Sequence, residues 1–147
     1  MKSRKSKRVV YYVREARELF SWTPNFKPLT IYSLIAHVSG KHHQIMMRDQ
    51  AVGALYDVMH ETNRRNGTNR CAAIPEREDG RFSGIRKIPA TPEGRAIVFA
   101  YRQNRMDEVG KLLKAQLEII EADKSKGILT GGQQQKLTGS VMGMLNE

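Results

Sequence analysis

Arg70-Cys-Ala-Ala-Ile-Pro-Glu-Arg-Glu-Asp-Gly-Arg-Phe-Ser-Gly-Ile-Arg-Lys-Ile88 is the stretch where the chain changes its hydrophobic period. Before it, apolar residues recur at steps of three and four, the spacing of amphipathic helices. Within it, Arg70–Ile74 and Ser83–Ile88 are short β-prone runs, separated by Pro75–Phe82 with its Asp79-Gly80 turn pair. The reading is a β-hairpin with a long, charged, exposed tip. Pro89 cannot donate to a ladder, which places the returning strand at a sheet edge.

Immediately after the hairpin, Thr91-Pro-Glu-Gly94 is a helix start, with Thr as cap, Pro at the first helical position and Glu in the first turn. That helix breaks near Asn104. Asp107 is expected to cap a second segment, whose stripe of Val109, Leu112, Leu113, Leu117 and Ile120 runs out to Lys126-Gly127. Thr130–Lys136 reads as a polar linker, and 137–145 as a short final helix.

Upstream, 9–22 reads as a helix, with a strand at Val9–Val13 as its alternative. Thr23-Pro-Asn-Phe-Lys-Pro28 stops that element. A short helix follows, opened by Thr30 or by Lys27-Pro28, with Ile31, Leu34, Ile35 and Val38 on one stripe. Ser39-Gly40 should close it through a left-handed glycine. A longer helix then runs from Ile45 or Met46 to about Arg65, its stripe being Met47, Ala51, Ala54, Leu55, Val58 and Met59.

Helix, helix, turn, longer helix, hairpin and capped helix is the order of a winged helix-turn-helix. The chain is thus expected to be mainly α with a small β-hairpin, and to carry additional C-terminal helices. Gly84-Ile-Arg-Lys-Ile-Pro-Ala-Thr-Pro-Glu-Gly-Arg95 resembles the wing-to-helix junction of MarR-like and PadR-like regulators, a likeness covering about residues 28–102. The resemblance implies duplex DNA binding and a homodimer joined by helices outside the wing. Ala36 and Gly40 also have the spacing of a simple helix-turn-helix, although Ser39 and Lys41 stand where apolar residues usually pack. The expected organisation is a flexible basic arm at 1–8, a winged-helix domain at 9–104, and a helical extension at 105–147.

Charge points the same way. The 147 residues hold 25 Lys and Arg against 15 Asp and Glu, a net +10. The excess is lopsided, +8 over residues 1–70 and +2 over 71–147, as expected of one region that meets a polyanion. No apolar run is long enough to cross a bilayer. A single cysteine, Cys71, cannot form an internal disulfide and fits a cytoplasmic location.

A helix entering the major groove offers side chains to base edges. With the 46–65 helix as the reading helix and Lys41–Gln44 as the polar connection before it, the base-contact candidates are His42, His43, Gln44, Arg48 and Gln50. Phosphate candidates are the arm residues Lys2, Arg4, Lys5, Lys7 and Arg8, then Lys41, Arg64, Arg65 and Arg70. The hairpin adds Arg77, Arg81, Arg86 and Lys87. Met106, Val109, Leu113 and Ile120, with Gln116, fit two heptads of a dimer seam, and packing within the chain explains the stripe equally well.

No phosphate-binding loop, nucleophile elbow or zincin motif occurs. His37, His42, His43, His60 and Cys71 lack metal-ligand spacing, so no cofactor and no catalysis are expected. A non-catalytic, sequence-selective DNA-binding protein follows, a transcriptional regulator or a mobile-element replication factor. One rival is a protein-interaction adaptor that docks partners through its winged helix and C-terminal helices. The other is an RNA-binding module that stacks bases on Tyr11, Tyr12 and Trp22.

Overall fold

The computed structural model describes residues 4–64 and 71–146, with side chains from Tyr11 onward. The elements run α1 (Arg4–Trp22), β1 (Pro28–Thr30), α2 (Ile31–His42), α3 (Arg48–Arg64), β2 (Cys71–Glu78), β3 (Arg81–Pro89), α4 (Pro92–Arg102), α5 (Met106–Ser125) and α6 (Gly131–Leu145). The fold is mainly helical, with a small three-stranded antiparallel sheet in the order β1-β3-β2.

The hairpin strands are longer than the residue pattern implied. Only Asp79 (φ 52°) and Gly80 (φ 76°) form the turn, the paired left-handed conformation of a two-residue hairpin loop. The tip is therefore short. The returning strand is central rather than an edge, because β1 pairs with it through Pro28↔Arg86, Leu29↔Ile85 and Thr30↔Gly84. Pro89, its last residue, lies beyond that register and interrupts no bond to β1. Gly84 is where the strands close up: a Cβ there would lie 2.3 Å from the Leu29 carbonyl oxygen.

Two compact units divide the chain: residues up to Thr23 with Pro28–Lys87, and Pro24–Lys27 with Ile88 onward. The division falls at the end of β3, so α4 groups with α5 and α6; the helix break alone had pointed to 104–105. The first unit's core joins Tyr12, Ala16 and Phe20 of α1 to Leu34 and Val38 of α2. Ala51, Leu55 and Val58 of α3 and Phe82 and Ile85 of β3 complete it. Within the second unit α5 packs against both α4 and α6, burying Ile97, Val109, Leu113, Ile120, Val141 and Met144.

Helix ends show where local signals held. Thr30 caps α2, accepting from Ser33 N at 3.1 Å, and Thr91 caps α4, accepting from Gly94 N at 3.0 Å with Pro92 following. Others moved. Gly40 stays inside α2, and His43 (φ 54°) is the left-handed cap, its N–H donating to Ser39 O. The simple helix-turn-helix match at Ala36 and Gly40 therefore fails. α1 is helical back to Arg4, so residues 4–8 of the expected arm belong to a helix, as does Val9–Val13. Arg105, not Asp107, precedes α5, without a side-chain cap. The expected linker 130–136 is helical from Gly131, the start of α6, with Thr130 as its cap in a capping box in which Thr130 and Gln133 exchange hydrogen bonds.

Candidate nucleic-acid interface

Residues 43–47 join α2 to α3 without regular structure. Met46 anchors the segment in the core, while Ile45 and Met47 on either side are 85% and 62% exposed. Gln50 Oε1 accepts from Met47 N at 2.8 Å, closing the first turn of α3. Arg48 Nη2 donates to Phe82 O at 3.3 Å, and the Tyr56 and Phe82 rings stack at 4.2 Å. Those contacts hold the Arg48–Tyr56 face of α3 against the hairpin. His43, Gln44, Arg48, Arg77 and Arg81 are exposed, and Arg81 neighbours the strand residue that Arg48 touches.

Beyond its first turn α3 is less basic than a groove-reading helix would be. Its solvent stripe is Asp49, Gly53, Asp57, His60 and Arg64. Glu61, one residue on, forms a paired ion bridge with Arg17 of α1. Val13, Asp57, His60, Glu61 and Arg64 line a shallow depression beside that bridge. The exposed cationic candidates of this unit's α3 and hairpin are thereby Arg48 at the start of α3, Arg64 at its end, and Arg77 and Arg81 of the hairpin.

Several candidates are engaged elsewhere. His42 points to Glu15, a buried carboxylate of α1. Glu15 Oε1 accepts from His42 Nε2 at 3.0 Å and Oε2 accepts from His37 Nε2 at 2.9 Å; a carboxylate has only acceptors, so each ring nitrogen donates. Lys41 Nζ bridges Glu15 (3.2 Å) and Glu18 (3.3 Å). Burial pushes the Glu15 carboxyl upward, but the bonds from His37, His42 and Lys41 outweigh it and hold the group at about 2. Bonds to Glu15 and Glu18 push the Lys41 ammonium up. Tyr11 closes the cluster edge-on to His42. His42 and Lys41 thus fasten α2 to α1, although Lys41 stays largely exposed.

Arg86 and Lys87 do not reach solvent as expected. Arg86 is buried, its guanidinium forming two bonds to Glu76 across the hairpin, the Nε bond at 2.9 Å. Lys87 Nζ donates to Ser21 O and lies 5.0 Å from the Phe20 ring centroid, and burial lowers its pKa. Lys2, Arg65 and Arg70 lie outside the described residues, and Arg4, Lys5, Lys7 and Arg8 occupy the first turns of α1.

The dimer seam is likewise closed. Val109, Leu113 and Ile120 are buried within the chain, and of the four only Met106 is exposed. Tyr12 lies in the core and Tyr11 packs against it, which leaves Trp22 as the single open platform of the three aromatics. Burial pushes the Cys71 thiol up, the opposite of an activated nucleophile. Among the described residues no set of three His, Cys, Asp or Glu is placed to hold a metal ion, and no helix is long and apolar enough to cross a membrane.

The residue pattern missed the exposure of Ile45 and Met47, reading the first as a helix start and the second as core. It also missed Glu15, whose signal was present as His37 and Lys41 one helical turn apart. No family model, no curated relative and no solved structure matches this chain.

Proposed function

We propose that the first unit is a winged-helix module and that the protein is a non-catalytic, sequence-selective binder of duplex DNA, serving transcription regulation or replication of a mobile element. The order α1-β1-α2-α3-β2-β3, with β1 closing the hairpin into a sheet, supports the winged-helix reading, as does its likeness to the MarR-like and PadR-like junction. One observation carries the DNA reading: the Arg48–Phe82 contact ties the start of α3, with exposed His43, Gln44 and Arg48, to the hairpin whose strands carry exposed Arg77 and Arg81. Groove entry and phosphate contact would then come from one end of the unit.

Selection of bound duplexes from a random pool at ~0.15 M salt, close to physiological screening, should recover a motif. A twofold-symmetric motif would mean that two copies bind together. Arg48→Ala and Arg81→Ala should each weaken the selected duplex roughly tenfold, the size of one good base or charge-assisted contact. Recovery without a motif, vanishing as salt rises, would reduce the interaction to charge attraction.

One feature of the second unit favours the adaptor reading. Arg95, Phe99 and Arg102 share one exposed face of α4, and Phe99 is 61% exposed. An aromatic between two guanidinium groups is a composition enriched at protein interfaces. Phe99→Asp should leave duplex recovery intact and abolish binding of an acidic partner.

A further inference from the structure

We infer that Ile45 and Met47 read the 5-methyl group of thymine in the major groove, so that this protein prefers thymidine-bearing duplexes at the positions facing the α2–α3 segment. The inference rests on the duplex-DNA reading and adds to it the feature of the bases that is recognised.

The two side chains are the most exposed apolar groups of the first unit's α2–α3 segment, on either side of the buried Met46 that fixes the backbone between them. An anchored segment presents them in a set position rather than as loose surface. Their polar neighbours are partly committed: Gln50 uses its oxygen on Met47 N, and Arg48 uses one Nη2 on Phe82 O. No carboxylate occurs from His43 to Arg48. Exposed Arg48 follows the pair directly in the chain, and its bond to Phe82 O ties that cation to the hairpin beside the apolar side chains. Duplex DNA offers one apolar group at its major-groove edge, the thymine methyl. An exposed apolar pair beside an exposed guanidinium, at the turn proposed to enter the groove, matches that chemistry.

The test uses the full chain and two random-sequence duplex pools, one copied with thymidine and the other with deoxyuridine, mixed in equal amounts. Removing the methyl leaves every hydrogen-bonding group of the base in place. One round of capture should enrich thymidine duplexes roughly fourfold for each methyl contacted, the value of one buried carbon. The doubly substituted protein, Ile45→Ser with Met47→Ser, should capture DNA but recover both pools equally. Both positions are solvent-exposed, and a matching thermal transition would show that the fold is kept. Equal recovery of the two pools by the unsubstituted protein would overturn the inference while leaving duplex binding standing. Recovery of neither pool would overturn the duplex reading, and this inference with it. Enrichment that persists in the double variant would assign methyl recognition to other residues and overturn it also.

Discussion

Glu15 is 6% exposed at its side chain, yet its carboxyl sits at about 2 rather than near 4.5. A depressed carboxylate stabilises the native state fully above its unfolded pKa, and the contribution is lost as pH falls through the folded value. The fall from 4.5 to about 2 corresponds to about 3 kcal/mol undiminished. Screening through the partly exposed Lys41 and His42 reduces that to about 1–2 kcal/mol. Denaturant unfolding between pH 2 and pH 6 should therefore show stability rising with pH across the lower half of that range. Glu15→Gln should flatten that rise and lower stability at pH 7 by a similar amount. Parallel pH profiles for the two proteins would mean that the cluster contributes no linkage. Because Glu15 fastens α1 to α2, and α2 leads directly into Ile45 and Met47, the cluster also belongs to the framework that presents the proposed reading segment.

At the scale of elements, glycine separates what was legible from what was not. Gly40 carried the signal of a helix end, but a helical Gly40 has nothing within 4 Å of its absent Cβ. Gly40→Ala should thus stabilise the protein by about 0.5–1 kcal/mol, the ordinary helix gain of Ala over Gly. Were Gly40 the left-handed cap, the same change would destabilise. Gly84 is the reverse case. Its neighbour is backbone, which cannot swing aside, so Gly84→Ala must separate β1 from β3 and should cost about 2 kcal/mol or more. Thermal or urea midpoints of the two variants should move in opposite directions. Periodicity and capping residues revealed α2, α3, α4 and α5, since each depends on contacts a few residues apart. β1 was not legible, because a three-residue strand exists only through pairing with residues 84–86, more than fifty positions away. The burial of Arg86 was hidden for the same reason: nothing local distinguishes a guanidinium paired with Glu76 from one facing a phosphate. The Thr130 capping box was present in the residues but masked by the polar, glycine-bearing stretch after it.

Over the whole molecule, a net charge of +10 overstates what a polyanion would meet. Arg17, Lys41 and Arg86 are bound to carboxylates, and Lys87 is buried. Of the candidates at the start of α3 and the hairpin, Arg48, Arg77 and Arg81 remain exposed. Three phosphates neutralised would weaken binding by roughly 40-fold between 50 and 200 mM salt, whereas about six would weaken it roughly a thousandfold. The steeper dependence would need another set of cations, and the first turns of α1 hold four in Arg4, Lys5, Lys7 and Arg8. For the intact chain on its selected duplex, the steeper dependence is expected. Replacing those four residues together with Ala should bring it down toward the shallower value while leaving the recovered motif unchanged, because phosphate contacts position a protein and base contacts specify its site. An unaltered slope would remove the start of α1 from the interface. A lost motif would instead make it part of the base-reading surface, and would shift the specificity argument away from the segment around Ile45 and Met47.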